Sequence, residues 1–136
     1  MTKHAKVIVA YDGSASGLRA VEHAAGLVRR GGNVSVINVI PSQSISARLE
    51  TLSDAERDRQ TRLLREAENA LRRRGVKAHS VRAAGDPARE ILTAAEEMGA
   101  AVIVVGRQRR RRVPGLGTPL SDVLVRRASV DVLVVH

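Results

Sequence analysis

Asp12-Gly13-Ser14-Ala15-Ser16-Gly17, directly after the β-branched run KVIVAY (6–11), is the first segment whose residue types suit chemistry. Glycines and hydroxyls at a strand-to-helix turn superficially resemble a nucleophile elbow. The nucleophile is not supported. A nucleophile elbow needs serine midway between its glycines, and that place is Ala15. The four histidines (4, 23, 79 and 136) lie far apart with no metal-ligand spacing. Cysteine is absent, which removes disulfides, thiolate metal sites and thiol nucleophiles together. No Gly-Lys-Ser/Thr sequence exists, so a Walker-type phosphate loop is excluded. Gly115-Leu116-Gly117 lacks the third glycine of a dinucleotide fingerprint, whose place is Leu120. The chain is therefore not expected to be an enzyme.

The second chemical segment is Arg107-Gln108-Arg109-Arg110-Arg111-Arg112, five arginines in six residues. Guanidinium forks bind phosphate oxygens well. Three readings compete: a solvated loop with no ligand, arginines closing over a nucleotide or other small polyphosphate, and a landing patch for nucleic acid, an anionic surface or an acidic protein. A net charge of +9 favours anionic partners in general. With Tyr11 the only aromatic residue, base stacking on single strands is not expected. Tyr11 itself either stacks on a purine or packs at a strand end. Asp12 serves either as a turn and capping residue or as a ligand contact.

These segments need elements to hold them. With 136 residues the chain makes a single domain over 1–136, and the 43% hydrophobic content makes an aliphatic core. KVIVAY (6–11), NVSVINVI (33–40) and AAVIVVG (100–106) read as strands buried on both faces of a parallel sheet. VKAHSVRA (76–83) is partly polar, which suits a sheet edge, and VDVLVVH (130–136) is a fifth strand. Ser14 or Ser16 caps a helix that should stop at Arg29-Arg30-Gly31-Gly32. Residues 41–52 read as a loop. Ser53-Asp54-Ala55-Glu56 is a capping box opening a helix to about Arg74, with Leu63, Leu64, Ala67, Ala70 and Leu71 inward. Gly85-Asp86-Pro87 starts a third helix ending at Gly99. A basic loop (107–119) leads to a short helix over 121–128. The basic run Arg72–Arg74 at a helix end is favoured by the helix dipole and needs no partner.

Strands alternating with helices force a doubly wound, three-layer α/β sandwich with a parallel sheet. Ligands in such sheets bind beyond the carboxyl ends of the strands where strand order reverses. Central first and fourth strands place Asp12 and Gly106 at that crevice. No apolar run reaches the ~20 residues of a membrane span, and the amino-terminal stretch is too short for a signal peptide. A cytoplasmic location is expected.

VIVAYDGSASGLRAVEHAAGL, GDPAREIL, VIVVGRQR and the closing PLSDVL…A…VDVLVV together resemble the universal stress protein family, in order and over almost the whole chain. The resemblance implies the universal-stress-protein/adenine-nucleotide alpha-hydrolase-like fold, five parallel strands ordered 3-2-1-4-5. It implies a stress-response or regulatory role and a homodimer through the C-terminal edge strand. It also implies ATP as ligand, held by a pattern of glycine, two residues, glycine, nine residues, glycine-serine/threonine and a further hydroxyl. No metal is expected beyond magnesium carried with the nucleotide.

On that pattern Asp12 and Gly106 fall at the adenosine and ribose, and Val39 offers backbone to adenine. The second glycine is Arg109, and the glycine-hydroxyl pair falls on Thr118-Pro119, where proline offers no N–H. Ser121 keeps the expected hydroxyl. Arg107 and Arg109 would then stand at the phosphates beside Thr118 and Ser121. The alternative is a dimeric scaffold that has lost nucleotide binding and offers residues 107–112 to an acidic partner.

Overall fold

The computed structural model describes residues 3–41, 52–107 and 117–136. Five parallel strands form one sheet: β1 (His4–Ala10), β2 (Val28–Pro41), β3 (Lys77–Gly85), β4 (Val102–Gly106) and β5 (Asp131–Val135). Their order is β3-β2-β1-β4-β5, so the chain reverses direction across the sheet between β1 and β4. Helices α1 (Ala15–Leu27), α2 (Asp54–Arg72), α3 (Pro87–Met98) and α4 (Leu120–Arg127) cover its two faces. The expected doubly wound sandwich is the observed one.

Alternation along each strand sorts the aliphatic side chains into two layers. Val7, Val9, Val34 and Val36 face α1 and α2, where Val21, Leu64 and Leu71 meet them. Ile8, Ile37, Ile103 and Val105 face the opposite way onto Ile91, Ala95 and Leu124 of α3 and α4. Each fully buried branched side chain contributes about 1.5–3 kcal/mol. Capping follows the residue types: Ser14 accepts from Gly17 N at 3.0 Å, Ser53 from Glu56 N at 3.2 Å, and Asp86 from Arg89 N at 2.9 Å. Gly99 closes α3 in the left-handed conformation that its lack of a Cβ allows.

Two boundaries differ from expectation. The first helix ends at Leu27, because Val28 is drawn into the core and already pairs with His4. The ladder resumes only at Lys6 with Asn33, so Arg29–Gly32 form an excursion within β2 rather than a helix stop. β3 runs on to Gly85 because Ala83 and Ala84 stay paired with Val39 and Ile40. The loop expected over 41–52 falls outside the described residues except at its two ends, as does Gln108–Arg112.

Candidate functional site

The carboxyl ends of β1 and β4 open into a crevice of about 330 Å3. Its floor and walls come from Asp12, Asn38, Val39, Val105 and Gly106, with Pro87, Ile91 and Leu120 from the α3–α4 side. That size sits at the small end of ordinary ligand pockets, about 300–1,000 Å3.

The β1–α1 turn is built by its own polar groups. Asp12 Oδ1 accepts from Ser14 N at 2.9 Å, and the Ser14 hydroxyl then caps α1. Both sequence readings of Asp12 therefore meet in one side chain: one oxygen makes the turn, and the residue also lines the crevice. The turn presses close to β4. A Cβ built on Gly106 would lie 2.5 Å from the Ser16 carbonyl carbon, so glycine here is required by helix–strand packing. Tyr11 packs rather than stacks. It is 2% exposed, and its hydroxyl donates to the Glu66 carboxylate. Burial, and then Glu66, push its phenol well above its ordinary range.

Beneath the crevice lies a buried amide pair. Gln60 Nε2 donates to the backbone oxygens of Asn38 (2.9 Å) and Ala83 (3.0 Å), and to Asn38 Oδ1 at 3.2 Å. Asn38 Nδ2 donates in turn to Tyr11 O at 2.8 Å. This chain fastens α2 to the ends of β1, β2 and β3, which carry Tyr11, Asn38 and Ala83. Arg59, one residue before Gln60, donates to Asp12 O at 3.3 Å and is the only cationic residue among the described ones lining the crevice.

Of the residues singled out from sequence, Asp12, Val39 and Gly106 line the crevice. Arg107 does not: its guanidinium stands 3.1 Å from His136 Nδ1, and its backbone oxygen accepts from the Ser16 hydroxyl. Thr118 is exposed, while Ser121 is buried in the first turn of α4, which contributes Leu120 to the lining. Pro119 is the N-cap of α4 and supplies no side-chain cap. Arg109 lies outside the described residues. Sequence reading missed Asn38, Arg59 and Gln60. The signals were an asparagine between Ile37 and Val39 near the carboxyl end of an apolar strand, and a glutamine on the inward stripe of α2 four residues before Leu64.

Among the described residues no three His, Asp or Glu side chains form a metal-binding group, and no helix is long and apolar enough to cross a membrane. A crevice at the strand-order reversal, walled by aliphatic side chains with a few polar groups, places the chain in the doubly wound α/β class. Residues 3–136 match the model of the universal stress protein family, and the chain belongs to that family. A solved universal stress protein in complex with cAMP is 26% identical and superposes with a TM-score of 0.76 over 96% of each chain. A protein of the family from Burkholderia pseudomallei is also 26% identical, with a TM-score of 0.73 over 96% of this chain and 95% of that one. A universal stress protein from Lactobacillus plantarum, at 18% identity, shares the fold with a TM-score of 0.80 over 100% of both chains. No curated protein matches the chain.

Proposed function

We propose that the chain is a non-catalytic, cytoplasmic regulatory domain that binds an adenine nucleotide in the crevice. The observation that carries this reading is the lining itself: Asp12, Val39 and Gly106 converge on one cavity, beside a guanidinium from Arg59. Aliphatic walls from Val39, Val105 and Ile91 suit the faces of a purine. The backbone of Val39 offers its edge hydrogen bonds, and Asp12 accepts from ribose hydroxyls. Arg59 supplies positive charge for phosphate. The relative solved with cAMP supports an adenine ligand. ATP is the family-type ligand. Magnesium enters only with the nucleotide.

The test is a titration of isotope-labelled protein with ATP and with cAMP, followed by amide chemical shifts. Saturating shifts confined to the Asp12, Val39 and Gly106 neighbourhood support the reading. Shifts confined to exposed basic segments far from the crevice contradict it.

A second reading has specific support. Pro119 caps α4 with no side-chain hydrogen bond and has no N–H of its own, Thr118 is exposed, and the Arg107 guanidinium is turned to His136. A scaffold that binds no nucleotide and uses residues 107–112 on an acidic partner fits those three placements. We further propose a homodimer through the β5 edge, where Val132, Leu133 and Val134 remain half-exposed.

A further inference from the structure

The parallel sheet gathers the amino ends of all five strands and the carboxyl ends of all four helices at the pole opposite the crevice. Cations collect there. Lys3 precedes β1 and Lys6 lies in its first half, Arg29 and Arg30 follow α1, and Lys77 opens β3. Arg72–Arg74 close α2, and Arg126 and Arg127 close α4. All ten are exposed.

Five acids share this pole: Glu22, Glu68, Glu96, Glu97 and Asp131. Two of them are engaged, Glu22 with Arg74 at 2.6 Å and Glu68 with Arg72 at 3.0 Å. The remaining described residues carry eight Lys/Arg and eight Asp/Glu. The whole positive excess of the described residues therefore sits at one end of the molecule.

Helix dipoles account for part of this pattern, at Arg72, Arg126 and Arg127. They do not account for Lys3, Lys6 and Lys77, which sit on or beside strands. Nor do they compel it, since α3 ends in Glu96 and Glu97. The ladder pairs Lys6 with Asn33 and Asn33 with Lys77, which sets the two lysines about 10 Å apart on one rung. The cations thus stand on rigid element ends, spread across the sheet.

We propose that this pole docks on the phosphate backbone of duplex nucleic acid, without reading sequence. Guanidinium forks match phosphate oxygens, and a broad, rigid array suits a regular row of them. The chain's one aromatic residue is buried, so stacking on unpaired bases has no platform. The only exposed large hydrophobic side chain among the described residues is Val125, beside Arg126 at the end of α4, and one valine is too little apolar surface to seat the pole in a bilayer. The surface is separate from the crevice, and its test does not depend on nucleotide.

The experiment measures binding of the full chain to a labelled duplex of arbitrary sequence, about two helical turns long, over a salt series. For about five phosphate contacts the affinity should fall on the order of 10²–10³-fold between 50 and 200 mM salt. Arg30→Glu/Arg73→Glu/Lys77→Glu/Arg127→Glu should weaken low-salt binding by about 100-fold or more. The matching glutamine variant should weaken it about tenfold and flatten the salt dependence. Circular dichroism verifies that both variants fold. Arg110→Ala/Arg111→Ala/Arg112→Ala should keep duplex binding within a few-fold. The proposal is overturned by absence of saturable binding at low salt, or by loss in the loop variant with the pole variants unaffected. Preferential binding to phosphatidylserine vesicles, or stronger binding to single strands than to duplex, overturns it equally.

Discussion

Gly106 and Ser16 hold the crevice together by backbone contact: a Cβ on Gly106 would lie 2.5 Å from the Ser16 carbonyl carbon and 2.7 Å from its oxygen. The neighbouring atoms belong to the first turn of α1, which cannot move aside like a flexible side chain. Gly106→Ala should therefore cost about 1–3 kcal/mol or more, read as a Tm lower by several degrees. An unchanged Tm would mean that the glycine serves the ligand alone. A bulky residue at 106 would disturb the fold before it tested binding.

Gln60→Leu should be nearly as harmful although it removes no charge. The leucine leaves the buried Ala83 and Asn38 oxygens without the Nε2 donor they share, at about 1–3 kcal/mol. Because Asn38 precedes Val39, nucleotide affinity should fall as well. Chemical denaturation of the variant measures the first effect. Wild-type stability would show that the amide bonds add nothing net.

The lone tyrosine gives a clean pH signal. Its phenol is neutral in the fold well above the pH, about 10, at which it ionises in the unfolded chain. Between those limits the unfolded chain binds fewer protons, so stability is fully present below about pH 10 and declines as pH rises above it. The slope attributable to this group is about 1.4 kcal/mol per pH unit. Tyr11→Phe should lack that component. Ultraviolet absorbance, which reports Tyr11 alone, should show phenolate appearing only on unfolding. Phenolate formation near pH 10 in folded protein would contradict the burial.

The β5 edge predicts sedimentation at twice 14.6 kDa. Val134→Lys, on the half-exposed edge strand, should return the chain to 14.6 kDa with its circular dichroism retained. A monomeric parent chain would remove the dimer from the account.

Element types were legible because aliphatic runs and capping residues act locally. Val7, Ile8 and Val9 are buried on both faces as the β-branched run demands, and Asp86-Pro87 opens α3 as written. The end of α1 was not legible, because a core position for Val28 outweighs the helix-stop chemistry of Arg29–Gly32. The site was half legible. Asp12 and Gly106 follow from topology, since both end central strands. Arg59 reaches Asp12 across 47 residues of sequence, and Gln60 fastens Asn38 and Ala83 beneath the crevice across 22 and 23, and no local pattern carries those contacts. The direction of Arg107 toward His136 depends on the pairing of β4 with β5, which is likewise non-local.

The central claim is nucleotide binding in the crevice, and calorimetric titration with ATP and with cAMP, after removal of any carried nucleotide, tests it most directly. The predicted result is one saturable site per chain that persists at moderate salt. Asp12→Asn keeps the turn acceptor yet should weaken binding, and Arg59→Ala should weaken it about ten- to a hundred-fold. No saturable heat, or weak binding that salt abolishes and both variants leave untouched, would contradict the claim.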